Sequence, residues 1–319
     1  MSLSSSGFES QFPEILKASN GVSIAFVHAW PSTFNIGDYL SSPRHYFEFE
    51  CYSVEECHIK KILIVGGGAF NDLGDNIGSL IESDRKIAWG IGQSISSSVR
   101  SSRAAGSIST SFSFFGSRDR ALVATNSTLV PCVSVMGDIV DIPPGAGLGV
   151  FLNQNPAASG NTFMDALSSM NVDTVLGTNA LSEAEFRVRF ARTGRIVTNS
   201  YHIAYWALLS GRQVALIGYS SKFASLFELF QLPDNITRYE RGDDAGLAEA
   251  ISRALAGRSF SCLPSPGEIK MAFRQLNINY AKTLVREGLF RKIELLEDNK
   301  IQKRIREIEV WKKYALKRR

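Results

Sequence analysis

The sequence predicts an α/β protein of two parallel-sheet domains followed by C-terminal helices, and three observations carry that reading. Buried strand, glycine turn and helix recur in order along both halves of the chain. At 319 residues the chain exceeds the size at which one core stops growing, so two domains are expected. Residues 195–218 compress strand, helix and strand into one βαβ unit, with a connection close to the minimum for a right-handed parallel crossover. The pattern sets an N-terminal arm at 1–20, a first domain at 21–145, a second at 146–266 and basic helices at 267–319.

The elements follow in order. The arm is Ser-rich, with Phe8, Phe12 and Ile15 at marginal helical spacing. Residues 21–28 form the first strand and run into a polar loop that ends at Gly37 and Asp38. After an extended, less legible segment, residues 60–65 are a buried strand ending in Gly66, Gly67 and Gly68. Residues 76–81 read as a short helix and 86–93 as a third strand, followed by a Ser-, Arg- and Gly-rich flexible loop carrying Arg100 and Arg103. Residues 111–115 resume the sheet and deliver Arg118, residues 129–141 close this half, and Pro143, Pro144, Gly145 and Gly147 read as a linker.

The second half repeats the grammar. Residues 148–152 and 174–177 are strands around a helix at 162–170, and Ser182 with Glu185 makes a capping box for a helix over 183–191. In the βαβ unit, residues 195–198 are the β-branched strand and Asn199 or Ser200 is the N-cap. Ile203, Ala204, Ala207, Leu208 and Leu209 fall at helical spacing, Gly211 ends the helix, and residues 213–217 are the next strand. Helices at 223–230 and 246–256 follow, then long helices at 267–290 and 291–319.

Composition narrows the function classes. Hydrophobic residues at 44% and charged residues at 21% are those of an ordinary soluble globular chain. No run reaches membrane-span length and the N-terminus lacks a secretory pattern, so a cytoplasmic location is expected. Cys51, Cys57, Cys132 and Cys262 lack CxxC spacing, which argues for reduced thiols and against a zinc site. The positive charge gathers from Arg286 onward on an otherwise neutral body, and with no aromatic-basic motif beside it nucleic acid is not an expected partner. Ile301, Ile305, Ile308 and Trp311 make one apolar stripe on the last helix, which either docks on the body or lies on anionic lipid as a peripheral membrane contact.

His202 is the most interpretable candidate for chemistry. It falls in the first turn of a helix just beyond the carboxyl end of a parallel strand, where free helix N–H groups gather ligands in open α/β sheets. The positive helix end disfavours imidazolium, so an empty site keeps His202 neutral, whereas an anionic ligand pushes the other way. Capping or packing of the turn is the structural alternative. The three glycines after Val65 either bring backbone N–H groups to an anion or make a tight turn, and their spacing is neither a dinucleotide fingerprint nor a P-loop. Arg118, just past a strand end, is an oxyanion clamp or a partner for Asp119 or Asp138. Lys222 adds a second cation on the rim that carries His202.

Several stretches in fixed order carry a family likeness: Asn35-Ile36-Gly37-Asp38, Val65-Gly66-Gly67-Gly68-Ala69-Phe70, Trp89-Gly90-Ile91-Gly92, Ser117-Arg118-Asp119, Gly137-Asp138, Thr198-Asn199-Ser200-Tyr201-His202 and Tyr219-Ser220-Ser221-Lys222. Over residues 21–235 the chain resembles the polysaccharide pyruvyl transferase family. The resemblance implies two Rossmann-like domains in a GT-B-like arrangement, with the site in the cleft between them. It also implies transfer of pyruvate from phosphoenolpyruvate, as co-substrate, onto a sugar as a ketal, with no further cofactor and no obligatory metal. His202 is then the expected catalytic residue. Arg118, Ser200, Tyr201, Lys222, Gly67 and Gly68 are expected at the donor, and Asn35, Asp38, Phe70 and Asn71 at the acceptor, a glycan or lipid-linked oligosaccharide. The family commonly carries arginine two positions before the histidine, where this chain has Ser200; Arg118 matches its other arginine, and Lys222 or Arg212 is left to replace the missing cation. A GT-B-like glycosyltransferase with a nucleotide-sugar donor is the alternative that keeps the fold and changes the donor.

Overall fold

The computed structural model of the protein describes residues 15–17, 21–27, 34–67, 83–95, 112–123, 127–159, 174–256 and 259–306. The expected helices at 76–81 and 162–170, Arg100, Arg103, Ile308 and Trp311 lie outside the described residues. In chain order the first half contributes β1 (Ile15–Lys17), β2 (Ser23–Val27), the one-turn α1 (Ile36–Tyr39), β3 (Phe47–Glu50), α2 (Val54–Cys57), β4 (Lys61–Gly66), β5 (Arg85–Ile91), β6 (Phe114–Ser117) and β7 (Ser127–Leu129). The second contributes β8 (Gly147–Leu152), α3 (Pro156–Ser159), β9 (Thr174–Thr178), α4 (Glu183–Ala191), β10 (Thr193–Thr198), α5 (Tyr201–Leu209), β11 (Gln213–Gly218), α6 (Ser221–Leu229), β12 (Thr237–Arg238), α7 (Asp244–Leu255) and β13 (Phe260–Ser261). The chain ends with α8 (Pro266–Arg286), β14 (Lys292–Leu295) and a helical segment at 298–306.

Two sheets organise the molecule. The first runs β1-β2-β4-β5-β6-β7 and is parallel except at its β1 edge; the second runs β12-β11-β10-β8-β9 and is parallel, with β13 antiparallel on β11. Ile62, Leu63, Ile64 and Val65 are all buried, as a parallel strand covered on both faces requires. In the second sheet the strand order reverses at β8, which has β9 on one side and β10 on the other. Ligands of open α/β sheets settle in the crevice beyond the carboxyl ends at such a reversal. His202 stands one helical turn beyond β10, at that position. From β2 to β7 the first sheet shows no such reversal among the described strands.

Local chemistry explains several elements. The Ser182 hydroxyl accepts from the Glu185 N–H at 3.3 Å while the Glu185 carboxylate accepts from the Ser182 N–H at 3.2 Å, the capping box expected for α4. Two expectations are corrected. Part of the Ser-rich arm is strand: Ile15–Lys17 pairs antiparallel with β2, because an unpaired sheet edge is a stronger template than three apolar residues at loose helical spacing. Residues 291–319 are not one helix: Lys292–Leu295 pairs antiparallel with β3, and helix resumes only at 298. Ile301 and Ile305 are buried, so the described part of the apolar stripe docks on the body, and no described helix is long and apolar enough to cross a membrane.

The C-terminal segment ties the halves together. From α8, Asn277 accepts the Trp89 indole N–H at 2.8 Å and donates to the Pro131 carbonyl, while the Tyr280 hydroxyl donates to the Ala88 carbonyl at 2.8 Å. On the same helix Phe273 stacks against Tyr205 of α5 and Phe230. Arg212, fully buried at the start of β11, holds the linker by donating to the Ile142 and Pro143 carbonyls and to those of Thr193 and Phe190.

Candidate functional site

Four of the separately spaced sequence motifs converge on the His202 imidazole, at the junction of the two halves. α5 is preceded by its N-cap Ser200, whose backbone is extended and whose side chain makes no cap bond, so the cap leaves the first-turn N–H groups without a side-chain acceptor. Asn199, the other cap candidate, turns away from the helix. Its carbonyl oxygen accepts the Asn153 N–H at 2.7 Å, and its amide donates to the Ser159 hydroxyl at 3.0 Å and the Tyr239 hydroxyl at 2.9 Å.

His202 is buried, and both ring nitrogens face the first half. Nε2 lies 3.0 Å from Ser41 Oγ and 3.5 Å from an Arg118 terminal nitrogen; Nδ1 lies 4.0 Å from Asp38 Oδ1. Burial, then Arg118 and Lys222, hold the imidazole well below its ordinary value of 6.5, so the ring is neutral. The sequence expected neutrality from the helix dipole; desolvation is the larger cause.

Arg118 is 2% exposed and lies with its guanidinium 3.8 Å from the centre of the Tyr201 ring. It does not pair with Asp138, whose carboxylate is held by the Arg187 fork at 2.7 and 2.8 Å. The Tyr201 hydroxyl is buried and finds no hydrogen-bond partner among the described residues, and burial pushes its ionisation upward, so it remains a donor. Lys222 sits in the first turn of α6, where its ammonium donates to the Tyr219 hydroxyl at 3.0 Å.

Two glycines of the motifs allow close packing around His202. A Cβ on Gly37 would overlap the His202 ring, and a Cβ on Gly67, which has φ of 54°, would overlap Ser41. Gly67 therefore makes room for Ser41, and through it for the imidazole. Gly68, Phe70 and Asn71 lie outside the described residues. Asn35 and Asp38 are bonded to each other: the Asn35 oxygen caps α1 through the Gly37 N–H at 3.0 Å, and its amide donates to Asp38 Oδ2 at 2.7 Å. Hydrogen bonds from Ile36 N–H to the Asn179 carbonyl at 2.7 Å and from Ser94 to Ser220 at 2.9 Å join the halves around this cluster.

Ser41 is the participant that sequence reasoning missed, and Asp119 is read there only as a possible partner for Arg118. Ser41 carries no signal, being one hydroxyl in a short Ser-Ser-Pro turn. Asp119 lies beside Arg118, and the charge of Arg118 acts on its carboxylate. Its carboxylate accepts the Gln93 N–H at 2.6 Å, and burial raises it to about 6 despite Arg118. Because the folded-state value lies above the ordinary 3.8, the carboxylate destabilises the fold above pH 6, and that cost disappears as pH falls through the window from about 6 to 4. Asp119→Asn is therefore expected to raise stability at pH 8 by about 2–3 kcal/mol and to leave it nearly unchanged at pH 4. Urea unfolding at the two pH values measures this; equal effects at both would remove the buried-carboxylate cost.

Compared with protein-family models, curated proteins and solved structures, the chain matches none. What the fold and site define is a mixed α/β protein with two largely parallel sheets, compatible with Rossmann-like domains, and a buried Arg–His–Ser–Asp cluster at their junction. Among the described residues no group of acidic, histidine and cysteine side chains is arranged to hold a metal ion.

Proposed function

We propose that the protein is a transferase that moves pyruvate from phosphoenolpyruvate onto sugar hydroxyls as a ketal, in the manner of surface-polysaccharide biosynthesis, with its halves in a GT-B-like arrangement. One observation carries the reading: a buried guanidinium 3.5 Å from a neutral imidazole at the uncapped N-terminus of a helix, beside a sheet reversal. A planar cation, free N–H groups and an orphan phenol together suit a small, multiply charged donor. The neighbouring imidazole suits a reaction that needs a proton delivered and another removed.

The steps balance as follows. The donor carboxylate takes the Arg118 fork, and its phosphate takes the α5 N–H groups and Lys222. This negative charge raises the proton affinity of His202, and the imidazolium delivers its proton to the methylene carbon of the enol. A sugar hydroxyl adds to the central carbon and gives its proton back to the imidazole. The bond from that carbon to the phosphate oxygen breaks with its electron pair going to phosphate, and a second hydroxyl of the same sugar closes the ketal as its proton passes to the departing phosphate. Two hydroxyls and one enol phosphate become one ketal and one inorganic phosphate. Release of phosphate from phosphoenolpyruvate that depends on an added oligosaccharide, together with a pyruvylated product by mass spectrometry, is the expected result. Release of nucleoside diphosphate from a nucleotide sugar in its place would select the glycosyltransferase alternative.

A further inference from the structure

We infer that Asp38 and Ser41 are positioning residues for His202: from the opposite half of the molecule they fix which ring nitrogen carries the proton and so make the imidazole competent only when the halves are together. The inference rests on the proposed proton chemistry for its kinetic consequence, but its structural content stands apart from the donor's identity.

The geometry is specific at each atom. Asn35 donates to Asp38 Oδ2 at 2.7 Å, and Asp38 Oδ1 lies 4.0 Å from His202 Nδ1. A carboxylate on that side favours a proton on Nδ1, as an acid partner does in other histidine-centred sites. Nε2 is then the basic nitrogen, facing Arg118 at 3.5 Å, which is where a bound anion would lie. The Ser41 hydroxyl has one proton and two acceptors in reach, the Gly37 carbonyl at 2.6 Å and Nε2 at 3.0 Å. With the neutral ring's proton on Nδ1, Nε2 lacks a hydrogen and the Ser41 hydroxyl can turn to it from Gly37. When Nε2 takes a proton, Ser41 swings its own to Gly37 and accepts from the imidazolium, so the ring keeps a partner in both states.

Among the described residues the charged and titratable groups around the ring are Asp38 from α1, Arg118 from the end of β6, Lys222 from α6, Tyr201 from α5 itself, and the Cys132 thiol, 3.4 Å from Ser41. Among the described residues, Asp38 supplies the carboxylate of this group. Gly37 gives the relay its precision, because its missing side chain lets the ring lie against the α1 backbone.

The test reads the ring directly. In protein labelled with ¹⁵N-histidine, with His202→Gln used to assign its signals among the four histidines, the expected wild-type tautomer at neutral pH has the proton on Nδ1; a proton on Nε2 overturns the inference without recourse to any variant. Asp38→Asn is expected to mix the tautomers, lower kcat for phosphate release by roughly tenfold to a hundredfold and change KM for phosphoenolpyruvate little. Asp38→Glu is expected to restore part of that loss. An Asp38→Asn protein with wild-type kcat and an unchanged tautomer also overturns it. Absence of any phosphoenolpyruvate turnover in the wild type, with the Nδ1 proton in place, would refute the proposed function and leave the relay standing.

Discussion

His202→Gln is expected to lower turnover by about 10²–10⁴-fold while the protein still folds, the range that a positioned acid–base group supplies. Glutamine fills much of the imidazole's space and its amide can still reach Ser41, so the loss should fall on kcat and not on the structure. Stability provides an internal check with a definite sign. The folded-state value of His202 lies well below 6.5, so the unfolded chain binds its proton first, and wild-type stability is intact above pH 6.5 and declines as pH falls. The variant has no imidazole to protonate and should lose less stability between pH 7 and 5. Thermal unfolding across that window, beside phosphate-release assays, reads both effects. Near-full turnover in the variant would remove His202 from the chemistry.

Arg212→Met is expected to destabilise the protein by about 3 kcal/mol or more, with little specific effect on donor binding in the molecules that remain folded. Arg212 donates to four backbone carbonyls, of Ile142, Pro143, Thr193 and Phe190, and lies 3.7 Å over the Phe190 ring. Methionine can fill the space of the stem but leaves the Ile142 and Pro143 carbonyls without a donor, whereas Thr193 keeps the Gly145 N–H and Phe190 the Thr193 hydroxyl; each orphaned group costs about 1–3 kcal/mol. Burial pulls the guanidinium down to about 10, still charged at neutral pH. The family likeness left Arg212 available as a replacement donor cation, but its bonds to the linker give it a different task. Urea unfolding measures the change; a loss below 1 kcal/mol would show that water satisfies the carbonyls.

Much of the fold was legible because its signals are local. The capping box at Ser182 and Glu185, the β-branched strand before Ser200 and the apolar run of β4 each follow from a few adjacent residues. The β14 strand was not, because residues 292–295 are helix-compatible and become strand only by pairing with β3, far away in sequence. The same holds at the site. His202 and Arg118 stood out by residue type and position past a strand end. That Asp38 would lie beside His202, and that Gly67 would shelter a serine, depends on how distant segments meet, which no local spacing encodes.

The proposal turns on whether the Arg118–His202 junction binds a small enol phosphate. Calorimetric titration of phosphoenolpyruvate into the wild type and Arg118→Leu, with a nucleotide sugar as control, measures this most directly. The expected result is saturable phosphoenolpyruvate binding by the wild type that is lost on Arg118→Leu, with a stabilisation of about 2.7 kcal/mol at a hundred times its dissociation constant. Nucleotide-sugar binding with no response to phosphoenolpyruvate, or phosphoenolpyruvate binding indifferent to Arg118, would contradict it.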